Sequence, residues 1–148
     1  MNEQLNHPVR IHEQLAQYWQ SLAKDGQLPR EAAIDPKALA DVWDHCFLVS
    51  ARADGSFAYN YLGPALIDAY GDDMTGREIA DTLLGQHPRS LFHHFQQVAR
   101  DGAPATDESE FVNSRGVTVK YRSSILPLAG TEGNEVRFLL GGMKWKSY

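Results

Sequence analysis

The chain predicts an α+β fold in which an antiparallel sheet of five strands carries helices on one face, with a further helix at the N-terminus. Three observations lead there. Two short apolar segments, 46–50 and 57–61, flank Asp54-Gly55, a dipeptide suited to the positive φ of a hairpin turn. Short, separately capped helices follow directly. The last third, residues 106–112, 117–126 and 135–145, is strand signal broken by turns at 114–116 and 130–134.

Taken in order, Ile11, Leu15, Tyr18, Trp19 and Leu22 recur at helical spacing, so a helix is expected over 11–24, ended by Asp25-Gly26. Such a helix either packs on the sheet or pairs with a second copy. Asp35-Pro36 reads as an N-cap and first helical position, opening a short helix to about residue 43. Pro64 starts and Gly71 stops a two-turn helix. Thr75 and Glu78 have capping-box spacing ahead of Ile79, Leu83 and Leu84. A longer helix is expected over 88–100, with Leu91, Phe92, Phe95, Val98 and Ala99 inward and Gly102 beyond its end.

The bulk properties exclude several classes. At 148 residues, with 43% hydrophobic and 22% charged, the chain suits one globular core. No apolar run approaches the roughly 18 residues of a membrane helix, and Met1 to Asn6 lacks the pattern of a signal peptide, so a cytoplasmic location and no membrane partner are expected. A net charge of −5 with scattered basic residues argues against nucleic acid. The single cysteine, Cys46, cannot form an internal disulfide.

An ordered set of short motifs then carries a family likeness. It runs from Leu28-Pro29-Arg30, Ile34-Asp35-Pro36, His45 to Val49 and Asp54-Gly55 through Phe57-x-Tyr59-x-Tyr61-Leu62-Gly63. Gly71-x-x-x-Thr75-Gly76-Arg77 and Ser114-Arg115-Gly116 complete it. Over about residues 28–145 the chain resembles the PAS domains of a stand-alone bacterial family, mainly alphaproteobacterial. The resemblance implies a five-stranded sheet curved around a small pocket and closed by the helices between strands two and three. It divides the chain into an N-terminal helical extension, 1–27, and one sensor domain, 28–148. The resemblance implies binding of a small molecule, haem, flavin or only another protein, and often dimerisation, for which the N-terminal helix is the candidate surface if it does not pack on its own sheet.

Individual residues narrow the chemistry. Light-sensing PAS domains use a helix-borne cysteine against flavin. Cys46 instead opens a strand, and the bland reading, a small buried apolar residue, is preferred. On a wheel of 100° per residue, His93 points to solvent and His94 flanks the apolar face, which makes His94 the one serious haem ligand. Neither haem nor flavin is expected. Asp101, Asp107, Glu108 and Glu110 form an acidic cluster. Alternation sends Glu108 and Glu110 to solvent, opposite Ser109 and Phe111. No nucleophile–base pair and no phosphate loop occurs, so no enzyme is expected.

Strand alternation groups Tyr59 with Tyr61 on one face of strand two, and Val119, Tyr121 and Ser123 on one face of strand four. Inward tyrosines, Ser123 and the flanking His94 would supply polar contacts, with Leu66, Ile79, Phe92, Phe95 and Leu140 as apolar lining. A packed core with the same residues explains the pattern equally well. Two functions follow: a free-standing sensor that binds a small ligand and signals through a protein partner, or a ligand-free dimerisation and interaction module. A cone-shaped enzyme of the ketosteroid-isomerase type is a third reading, which requires an inward carboxylate and long helices ahead of the sheet.

Overall fold

A computed structural model describes residues 11–79 and 91–147. Helix α1 (Ile11–Leu22) comes first. The segment opened by Asp35-Pro36 forms two 3-10 turns, Pro36–Leu39 and Trp43–His45, instead of one helix. The cap is as expected, since Lys37 N–H donates to the Asp35 carboxylate at 3.0 Å. Continuation fails at Val42, whose φ of −124° and ψ of −1° leave helical space as its side chain enters the core.

Strands β1 (Cys46–Ala51) and β2 (Phe57–Leu62) form the expected hairpin. Its loop is longer than a two-residue turn. Arg52 N–H donates to Ser56 O, and Gly55 N–H to Arg52 O. Only Gly55 takes positive φ (87°), while the Asp54 carboxylate accepts from Ser56 N–H and Oγ–H at 2.9 and 2.6 Å. Helix α2 (Pro64–Tyr70) is stopped by Gly71, whose N–H donates to Ile67 O.

The capping-box expectation is corrected. Glu78 and Ile79 form a short edge strand, β3 (Glu78–Ile79), paired with Ala58 and Phe57 of β2. Thr75 donates both its N–H and its hydroxyl to Asp73, and Glu78, whose N–H its oxygen would cap, lies in β3 instead of a helix. Leu83, Leu84 and the expected helix start at residue 88 lie outside the described residues. Helix α3 (Leu91–Asp101) and strands β4 (Ala105–Val112), β5 (Thr118–Ala129) and β6 (Val136–Ser147) complete the chain. The antiparallel sheet therefore has six strands among the described residues, in the order β3-β2-β1-β6-β5-β4.

Both faces of the sheet are covered, whereas the sequence placed helices on one. α2 and α3 lie over an inner layer that includes Phe47, Val49, Phe57, Tyr59, Leu66, Phe95, Tyr121 and Leu139. α1 lies over an outer layer of Ile11, Leu15, Leu39, Val42, Cys46, Leu126, Leu128 and Leu140. Two adjacent glycines of β6 let both layers close. A Cβ on Gly141 would overlap the Phe47 ring, and one on Gly142 would overlap Ile11 and Leu15. The apolar stripe of α1 is thus engaged with its own sheet, and Glu13, Gln17 and Gln20 face solvent.

Candidate functional site

The inner layer is where chemistry collects. Tyr59 reaches it from β2, Tyr70 from the end of α2, and Tyr121 and Ser123 from β5. Phe92, Phe95 and His94 approach from α3. The rings form a continuous belt. Phe47–Tyr59, Tyr59–Tyr70, Tyr70–Phe111 and Phe111–Tyr121 have centroids 6.1, 6.3, 5.2 and 5.7 Å apart. Phe95 joins Phe47 and Phe57 at 5.6 and 5.8 Å. These are tilted and edge contacts of the kind aromatic quadrupoles favour.

The polar atoms are few and uncharged for the most part. The Tyr59 and Tyr70 hydroxyls share one hydrogen bond of 3.0 Å. Burial raises both phenols well above the usual value. Burial also pushes Tyr121 up to about 12, against the lowering effect of a hydrogen bond from Ser109. All three are neutral at physiological pH. Ser123 is fully buried, and its Oγ has no hydrogen-bond partner among the described residues. An orphaned hydroxyl of that kind costs about 1–3 kcal/mol.

His94 departs from its expected boundary position. It is 4% exposed, and Nε2 lies 3.2 Å from Asp107 Oδ2. Asp107 is the member of the acidic cluster that alternation turns toward α3, directly across from Ser123 on β5. Glu108, Glu110 and His93 are exposed, as the sequence implied.

Two expected lining residues face the other way. β1 pairs Leu48 with Tyr61 and Val49 with Tyr59, so Asn60 is the extra residue of a β-bulge. The bulge reverses alternation and sends Tyr61 to the outer layer. There its ring stacks on Trp43 at 4.6 Å and its hydroxyl donates to Trp43 O at 3.0 Å. Leu140 also belongs to the outer layer, and its neighbour Leu139 faces inward. Leu66, Ile79, Phe95 and Tyr121 lie in the inner layer, with Phe92 packed against it. Tyr70 and Asp107 were missed as site residues. Tyr70 follows Leu66 by one helical turn, a spacing that identifies it.

Cys46 is buried in the outer layer with its thiol donating to Val42 O at 3.3 Å, and burial pushes that thiol up to about 12. The sulfur is on the far side of the sheet from the tyrosines, so it cannot form an adduct with a flavin held there. A haem iron would compete with Asp107 for His94 Nε2. These two placements favour neither the flavin adduct nor iron ligation through Nε2.

A small cleft of about 230 Å³ opens between Tyr70, Met74, Phe111 and Asn113 at one end of the inner layer. A wider one, about 830 Å³, lies between Arg30, Ser50, Gly130, Arg137 and Phe138. Among the described residues no group of three or more His, Cys, Asp or Glu is placed to hold a metal ion, and no helix is long and apolar enough to cross a membrane.

No curated protein matches the sequence. Solved structures do match the fold. The blue-light photoreceptor Aureochrome1 LOV, in its light state, superposes with a TM-score of 0.55 at 14% identity, over 76% of this chain and 88% of that one. The N-terminal domain of a diguanylate cyclase with PAS/PAC sensor from Marinobacter aquaeolei gives 0.53 at 16%, over 67% and 91%. The PAS domain of the fruit-fly ELK potassium channel gives 0.52 at 17%, over 67% and 83%. At these identities the likeness speaks for the fold alone. The curled antiparallel sheet agrees with a family model described as a PAS domain, which matches residues 7–144, and the chain belongs to that family.

Proposed function

We propose that this chain is a non-catalytic, cytoplasmic regulatory module that takes a small, uncharged, hydrogen-bonding ligand against its inner layer and reports occupancy to a protein partner. The observation that carries this reading is Ser123 Oγ, fully buried without a partner and on the same face of β5 as the neutral Tyr121 hydroxyl. A ligand that donates to or accepts from Ser123 removes the desolvation cost of that group, and so is bound by the same energy that penalises the empty state. Residues 28–148 are read as the sensing unit and 1–27 as a helical extension. The neutrality of the three tyrosines disfavours a charged ligand.

Ligand-observed NMR with a panel of neutral monocyclic aromatics tests the reading. Saturation transfer that is lost in Ser123→Ala and Tyr121→Phe supports it; transfer that persists in both variants, or is absent throughout, removes it. The ring belt favours a second reading, a ligand-free interaction and dimerisation module whose interior is packed. That reading predicts no saturation transfer in any form of the protein.

A further inference from the structure

The outer layer holds one polar arrangement that the sensing role leaves unused. His12, on the first turn of α1, places Nδ1 2.5 Å from Ser124 Oγ of β5, while Nε2 is buried with no hydrogen-bond partner among the described residues. Ser124 pairs with Gly142, the residue against which Ile11 and Leu15 press. The imidazole therefore sits at the point where α1 meets the sheet. Arg122 of β5 and Lys144 of β6, directly cross-strand from each other, are the charged groups that act on it, and Glu108 lies 3.6 Å from Arg122. On α1 itself the adjacent Glu13 is exposed.

We propose that α1 is a pH-sensitive strap over the outer layer of the sheet, with His12 as its latch. Neutral imidazole satisfies Ser124 through one nitrogen and leaves the other as a buried lone pair or N–H. Protonation puts an N–H donor on both nitrogens, one without an acceptor, and adds a third positive charge beside Arg122 and Lys144. Among the described residues the remaining anchors of α1 are its apolar contacts, the Trp19 Nε1–H bond to Pro127 O at 2.7 Å, and the Tyr18 hydroxyl, which donates to Ala33 O at 3.3 Å and accepts from Asp35 N–H at 2.8 Å. Burial first, then the two cations, lower the His12 pKa below its ordinary 6.5. The sign follows. The docked helix prefers the neutral form, so docking is at full strength above the undocked value of 6.5 and weakens as pH falls from there toward the lowered docked value. The strap opens in acid.

Hydrogen exchange of the full chain, corrected for intrinsic rates, tests this at about pH 7.5 and about pH 5. Opening over Ile11–Leu22 should increase about tenfold in acid, with roughly 30-fold as the ceiling set by an undocked value near 6.5. Peptides from β1, β5 and β6 should keep their protection. His12→Gln, which retains a hydrogen-bonding side chain but cannot titrate, should abolish the rise, and His12→Asn repeats the comparison with a second neutral side chain. Unchanged exchange in the wild type overturns the proposal. So does an equal rise in both neutral variants, or a rise shared by the strands, which would mean global loosening.

Discussion

The inner and outer layers of the sheet are both apolar, but they dispose of their polar atoms in different ways. On the outer side, Tyr61 donates to Trp43 O, Trp19 to Pro127 O and Cys46 to Val42 O. Each side chain closes on a backbone carbonyl and fixes a neighbouring segment. On the inner side, among the described residues, the Tyr59 and Tyr70 hydroxyls bond to each other and Ser123 Oγ has no partner. The outer layer is finished as structure. The inner layer keeps hydrogen-bonding capacity in reserve, which is what a binding surface requires. His12 and Ser124 are the exception on the outer side, a bond between two side chains whose imidazole leaves its second nitrogen buried without a partner among the described residues.

Substitutions can break or sharpen this contrast. Phe95→Ala removes the ring that joins Phe47 to Phe57 and should cost about 3–5 kcal/mol in urea unfolding. Gly142→Val inserts atoms between β6 and α1 and should cost about 1–3 kcal/mol. Its damage should be local, with hydrogen exchange accelerated in α1 and not in α3. Alkaline titration followed by phenolate absorbance probes the buried hydroxyls. Because folding raises the pKa of Tyr59, Tyr70 and Tyr121, their contribution to stability is fully present below the unfolded value of about 10. It is lost as pH rises through the folded values. Ionisation of these three near pH 10 without unfolding would contradict their burial. The smallest effects should differ in sign. Tyr61→Phe loses a satisfied bond and about 0.5–1.5 kcal/mol, whereas Ser123→Ala should stabilise the ligand-free protein by about 1 kcal/mol. Equal signs in thermal melts would erase the distinction between the layers.

Much of the fold was legible because local chemistry dictates it. Pro64 and Gly71 bound α2, Asp35 caps its turn, and the strand segments end at glycine turns. The site was less legible because it depends on pairing. The bulge at Asn60 has no local signature, since it exists only relative to β1, and it turned Tyr61 away from Tyr59. β6 is apolar on both faces, so alternation groups Leu139 apart from Leu140 without saying which is inward. α1 decides that by covering one face. The wheel puts His94 at a boundary, whereas the folded chain buries it with Nε2 against Asp107 of β4, a contact that depends on how β4 packs beside α3. β3 was hidden by the Thr75–Glu78 spacing, which Asp73 diverts.

The central claim, that the inner layer holds a small ligand, is tested most directly by native mass spectrometry of gently desalted, freshly purified protein, with an absorbance spectrum from the same sample. The account predicts a stoichiometric added mass without visible absorbance, present in the wild type and lost in Ser123→Ala. A bare polypeptide mass in the wild type would contradict it and leave the packed interaction module as the better description. A visible chromophore would contradict the expectation that neither haem nor flavin is bound.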